Sequence, residues 1–205
     1  MTHANQHDRT QRNVSITGGL LLMLWLAASP ALTHANEQTQ LAIGEKAPAF
    51  TLKDQNNQTQ SLKAYRGQWV VLYFYPKNDT PGCTTEACSF RDNINRLIQQ
   101  DAQVLGVSID SQQSHAQFAK KYELPFPLLA DHQGKVSEQY QAVSDWVVMR
   151  FAKRHTFIID PQGRIAKRYQ QVDPDTHVQT VLDDLKQLKT QSHADVVQTN
   201  PQALS

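Results

Sequence analysis

The sequence predicts an α/β fold, a central mixed sheet flanked by helices, and three observations carry that prediction. Strand-like runs rich in β-branched and aromatic residues alternate with stretches of helical period through the middle of the chain. Two late strands flank the turn Asp160-Pro161-Gln162-Gly163 and read as a hairpin. The part of the chain that follows a leader-like N-terminus is about 170 residues, the size of one domain with an adequate core.

The leader comes first. Residues 1–13 are polar with Arg9 and Arg12, Val14 to Ala28 are largely apolar, and small residues follow up to a Thr33-His34-Ala35 pattern. This is the layout of a secretory signal cleaved after Ala35, with an uncleaved anchor as the alternative. The apolar stretch is short for a span of about 20 residues. The absence of a following cysteine argues against a lipid anchor, and the absence of paired arginines against twin-arginine export. The expected organisation is a signal over 1–35, one domain over 36–190 and a polar, mobile tail over 191–205. The expected location is the periplasm or another exported space, without stable membrane association after cleavage.

Within the domain, strands are predicted at Val70–Tyr75, Gln103–Ile109, Pro127–Ala130, Thr156–Ile159 and Ile165–Tyr169. Helices are predicted at Thr84–Gln100, Ser111–Tyr122, Lys135–Gln141 and Asp175–Lys189. Strand, helix, strand, helix, then a hairpin and a closing helix is the order of a thioredoxin-like fold. Residues 143–153 are more apolar than a loop requires. They read as a core-facing strand or helix, or as an exposed patch in which Trp146 or Phe151 lines a site.

Both cysteines of the chain lie in one short stretch, Pro76 to Cys88. Cys83 follows a strand and a turn rich in Pro, Asn, Asp and Gly, which places it in the first turn of a helix. There the unpaired N–H groups and the positive end of the helix dipole favour an anion, so a nucleophilic thiolate is the natural inference. Cys88 lies five residues on, a helical rise of about 7.5 Å and a rotation of roughly 140°. A disulfide wants its Cα atoms within about 6.8 Å. The pair cannot bridge while the helix is intact, and a reaction between them requires the first turns to unwind. That suits a catalytic disulfide better than a permanent brace, although two cysteines in an exported protein ordinarily suggest a staple.

These residues resemble the peroxiredoxins, and within them the Q type, also called bacterioferritin comigratory protein. The Pro-x-x-x-Thr-x-x-Cys element matches Pro76, Thr80 and Cys83, and the Q-type continuation matches Gly82 through Asp92. The opening Gly44 to Phe50 and the strand Arg154 to Asp160 match two further motifs, so the resemblance runs from about Ile43 to Leu188. It implies that Cys83 is the peroxidatic nucleophile and that Thr80 hydrogen-bonds peroxide and thiolate. Gly82 and Cys83 would supply N–H donors, Pro76 and Pro81 would shield the sulfur, and Arg154 would lie beside Cys83 as a fixed cation. Cys88 would resolve the sulfenic acid as an intramolecular disulfide, and a thioredoxin-like donor would reduce it. Glu86 is expected to favour the helix start through the dipole, while Arg91 is left open between a solvated face of the helix and a role at the site.

The charge pattern excludes other classes. With 20 basic and 19 acidic residues the chain has no nucleic-acid footprint, and its glycines form no phosphate loop. The histidines at 115, 132, 155, 177 and 193 show no ligand spacing, so neither metal nor other cofactor is expected, and His155 is assigned to packing. A monomer is expected, with a dimer as the alternative. An exported thioredoxin-like disulfide oxidoreductase is the competing function. It would ordinarily carry Cys-x-x-Cys, whereas this chain has four residues between its cysteines. A noncatalytic holdase is a third reading, against which Thr80, Cys83 and Arg154 stand together.

Overall fold

The computed structural model of the protein describes residues 41–146 and 149–199. The leader over 1–35 and residues 200–205 of the expected tail lie outside the described residues. A five-stranded sheet forms the centre, built from β3 (Trp69–Phe74), β4 (Ala102–Ser108), β5 (Leu128–Ala130), β8 (His155–Ile159) and β9 (Ile165–Tyr169). Its strand order is β5-β4-β3-β8-β9. The β3–β4 and β4–β5 pairs are parallel and the β3–β8 and β8–β9 pairs antiparallel, so the sheet is mixed.

β3 is buried along its whole length, as a central strand covered on both faces must be. Its side chains alternate between two cores. Trp69, Val71 and Tyr73, with Tyr75 just past the strand, face the core that contains Cys83, Phe90, Leu97, Phe118 and Leu182. Val70, Leu72 and Phe74 face the core of Ala47, Phe50, Leu62, Tyr140 and Phe157. The first core is closed by α1 (Pro81–Asp92), α2 (Ile94–Ile98), α3 (Gln112–Tyr122) and α5 (His177–Thr199), the second by α4 (Lys135–Gln139) and the N-terminal segment.

Several boundaries differ from the sequence expectation. The helix expected over Thr84–Gln100 starts at Pro81 and is divided at Asn93, which leaves helical geometry (φ −105°, ψ 9°) while its side chain donates to the Ser89 carbonyl at 2.9 Å. Apolar spacing continues through Ile94 and Leu97, so the break is invisible to periodicity alone. α5 runs to Thr199, well past Lys189, so the stretch from 191 that was expected to be tail is helical as far as that residue. An antiparallel hairpin of β1 (Thr51–Lys53) and β2 (Thr59–Ser61) was not expected. Residues 143–153 form a second hairpin, β6 (Val143–Trp146) with β7 (Met149–Ala152). Ala152 is buried and Phe151 half-buried, while the side chain of Trp146 lies outside what is described.

Candidate active site

Three elements converge on Cys83. β3 leads through Tyr75 into the loop Pro76–Thr80, and Thr80 is the N-cap of α1 in an extended conformation, with Pro81 in the first helical position. The first helical hydrogen bond runs from Thr84 N–H to the Thr80 carbonyl at 2.9 Å, so the Gly82 and Cys83 N–H groups precede the ladder and are donors of a helix N-terminus. The Cys83 thiol is 1% exposed and joins the core, whereas Cys88 is half-buried; both are free thiols. α1 is continuous across both, as the geometric argument against a static bridge requires.

Arg154 reaches the site through sheet register. β8 pairs antiparallel with β3, setting His155 opposite Phe74 and Thr156 opposite Tyr73, so the residue before β8 lies where β3 hands the chain to the Cys83 loop. Its Nη2 donates to Cys83 Sγ at 3.3 Å, and Nη1 is bonded to Glu86 Oε2. Gly82 permits this approach: a Cβ there would stand 3.2 Å from Arg154 Nη2 and 3.5 Å from Pro174 Cγ. Burial works against the Arg154 cation, but the Glu86 carboxylate and the Cys83 sulfur outweigh it and hold its pKa above the ordinary guanidinium value.

Glu86 corrects the sequence expectation. It is fully buried and bonded to Arg154, beyond the helix-dipole role expected of it, and only one of its oxygens is bonded; Oε1 has no hydrogen bond among the described residues. Burial pushes its carboxyl from 4.5 to about 7 against the pull of Arg154. Its spacing was the available signal, because a residue three positions after Cys83 shares that helix face. Arg91, left open by the sequence, is a structural tie: Nη1 donates to the Tyr122 carbonyl at 2.8 Å and Nε pairs with Asp92, linking α1 to the end of α3.

Thr80 stands where expected, but its hydroxyl donates to the Lys77 carbonyl at 3.0 Å rather than to the sulfur. Its oxygen lone pairs remain as acceptors. Pro76 is half-buried at the start of the same loop. His155 packs at the rim of the core. Burial, with Lys153 and Arg168 nearby, brings it down to about 4. His177, which the sequence left unassigned, bonds Thr156 Oγ1 at 2.8 Å and meets Phe90 edge to face, behind the helix that carries the cysteines. Arg150, an alternative to Arg154 by residue type, instead pairs with Glu138 and donates to the Gln133 carbonyl at 2.8 Å.

A buried thiol at a helix N-terminus, paired with a guanidinium that a buried carboxylate anchors, is equipped for nucleophilic attack by sulfur on the end of a thioredoxin-type sheet. Comparisons with known proteins agree. The AhpC/TSA family profile matches residues 43–168. Peroxiredoxin Bcp of Bacillus subtilis is 43% identical over 155 residues, covering 72% of this chain and 97% of that one. Among solved structures, a cysteine-to-serine variant of Xylella fastidiosa PrxQ superposes with a TM-score of 0.68 at 33% identity, covering 75% of this chain and 98% of that one. A structure of the Xanthomonas campestris bacterioferritin comigratory protein, described for its alkyl peroxide reduction activity, gives 0.66 at 30% identity, with 71% and 98% covered. The chain belongs to the peroxiredoxin family, within its Q-type or bacterioferritin comigratory branch. It is accordingly a thiol peroxidase.

Proposed function

We propose that the protein is an exported peroxiredoxin whose catalytic cycle is completed within one chain by Cys83 and Cys88. The observation that carries the first step is the Arg154 Nη2 contact with the buried Cys83 Sγ at 3.3 Å. The Cys83 thiolate attacks one peroxide oxygen; the S–O bond forms as the O–O bond breaks, the alcohol or water leaves with the peroxide's proton, and the sulfenate regains from solvent the proton that the thiol had given up. Arg154 and the N–H groups of Gly82 and Cys83 hold the charge that moves from sulfur to oxygen, and the Thr80 oxygen accepts from the incoming hydroperoxide.

The sulfenic acid on Cys83 then condenses with the Cys88 thiol, forming the disulfide and releasing water. An external dithiol of the thioredoxin type restores both thiols and departs as its own disulfide. The apolar run before Ala35 supports action outside the cytoplasm, and there the donor must be exported too. Both reacting cysteines belong to one chain, which supports a working monomer.

Single-turnover oxidation of the reduced protein by hydrogen peroxide tests this cycle. Cys83→Ser should abolish consumption, and Cys88→Ser should keep one fast turnover and stop at the sulfenic acid. A faster-reacting Cys88 in those traces would reverse the assignment. Mass spectrometry of protein recovered from the producing cell's exported fraction should find an N-terminus at Asn36; a retained leader in the cytoplasmic fraction would remove the export reading.

A further inference from the structure

The loop that carries Thr80 is held by a buried polar cluster that the peroxidase steps above do not use. At its centre is His115 of α3, which is fully buried. Its Nε2 lies 3.2 Å from the Leu129 carbonyl, a group that only accepts, so Nε2 bears the proton and Nδ1 is left as an acceptor. Nδ1 lies 3.1 Å from Asn78 Nδ2, and 3.3 Å from both Asn78 Oδ1 and the Tyr75 hydroxyl, so the amide nitrogen is the nearest of the three. The Tyr75 hydroxyl is directed to Asn78 Oδ1 at 2.7 Å, so the Asn78 amide is the donor that His115 receives.

The rest of Asn78 is equally engaged. Its Nδ2 also donates to Ser114 Oγ at 2.8 Å, and its backbone N–H donates to Asp110 Oδ2 at 2.9 Å. Asp110 is itself held by the Ser108 hydroxyl at 2.7 Å. Asn78 stands two residues before Thr80 and five before Cys83, between β3 and α1. A shift of its amide would carry the N-cap of α1 with it.

We infer that His115, as a neutral acceptor for the Asn78 amide, is a positioning residue for peroxide reduction, fixing the loop so that Thr80 and the α1 N-terminus stay aligned on Cys83. A protonated ring would turn a second donor on the Asn78 amide. Burial, reinforced by His132 and opposed by Asp110 and the Leu129 carbonyl, holds His115 down to about 4, which keeps it neutral in the working range. The inference rests on the peroxidase reading of Cys83.

Two variants separate the two ring nitrogens. His115→Asn places an acceptor near Nδ1 and gives up the bond to Leu129; His115→Gln keeps a donor for Leu129 and withdraws the acceptor from Asn78. In stopped-flow single turnover the Gln variant should attack peroxide about tenfold more slowly and the Asn variant within about threefold of the parent, since small misplacement of reacting groups is costly. The double variant Asn78→Ala/His115→Gln should be no slower than Asn78→Ala alone, because the two act through one contact. Equal slowing in both single variants, or additive slowing in the double, would overturn the inference. Nitrogen NMR of the unaltered reduced protein gives a readout independent of folding in any variant: Nδ1 should be the unprotonated nitrogen, and a proton on Nδ1 would be decisive against it. A parent protein that does not react with peroxide would remove the peroxidase reading itself, whereas a reactive parent with indistinguishable variants removes this inference alone.

Discussion

Two buried polar clusters meet the Cys83 loop, and they are built on opposite terms. Around Asn78, the ring of His115 is neutral and every polar atom of the Asn78 side chain is paired with Tyr75, Ser114 or His115. Around Cys83, a buried carboxyl and a partly exposed guanidinium meet a buried sulfur, and Glu86 Oε1 is left without a hydrogen bond among the described residues. A satisfied network rigidifies, while an incompletely paired buried charge is costly to keep. On the proposed cycle, the difference separates the part of the site that stays fixed from the part that reacts and opens.

The largest effect should come from taking the cation out of the second cluster. Arg154→Ala removes the contact to Cys83 and strands a buried Glu86, so peroxide attack should slow by at least about tenfold, the scale of one lost transition-state contact. Single-turnover kinetics on the folded variant measure it; an unchanged attack rate would take Arg154 out of the chemistry and erase the contrast between the clusters.

The next test follows the opening. If disulfide formation unwinds α1, hydrogen exchange at residues 84–90 should be slow in the reduced protein and fast in the Cys83–Cys88 disulfide form, while α3 around His115 keeps its protection in both. Ala87 and Phe90 resist that opening. Both are buried, and the Phe90 ring stacks on Tyr73 at 4.8 Å. Equal protection of 84–90 in the two states, with the disulfide verified by mass spectrometry, would remove the conformational step.

The smallest effect concerns pH. Glu86 is raised from 4.5 to about 7 in the folded protein, so the native state binds this proton more tightly than the unfolded chain does. The stability it contributes is present in full below 4.5 and is lost as pH rises through about 7. Buried His115, His155 and His177, each lowered from 6.5 to about 4 mainly by burial, act in the opposite sense: their contribution is present above 6.5 and lost as pH falls through about 4. Urea unfolding of Glu86→Gln beside the parent isolates the carboxyl, since the histidines are common to both. The parent should lose more stability than the variant between pH 4.5 and 7, and parallel curves would show that Glu86 does not titrate there.

What the sequence made legible follows the strength of each local signal. Strands β8 and β9 were readable almost residue for residue because a Pro-Gln-Gly turn punctuates them, and α3 because Ser111 caps it, accepting from Ser114 N–H at 3.1 Å. The three-residue β1 and β2 are too short for alternation to register. The run of α5 beyond Lys189 is mostly polar, with Ala194, Val196 and Val197 too few and too bunched to set an apolar period. At the site, Cys83 and Arg154 were legible through motifs. The burial of Glu86 was not, since a glutamate early in a helix ordinarily serves the dipole from the surface. The Asn78–His115 contact was equally hidden, being a pairing across 37 residues that no local pattern announces.

The Cys83–Arg154 contact spans 71 residues of chain and depends on β8 adding to β3 in the right register. Contacts so far apart in sequence form late, after the loop between them has closed. During synthesis or any passage in extended form, the sulfur therefore travels without its counter-ion and without a finished helix end. The sulfur–guanidinium pair that the proposed mechanism uses is assembled by folding itself, so a nascent or misfolded chain lacks it. The tertiary fold acts as an arming step, completed only when residue 154 is in place.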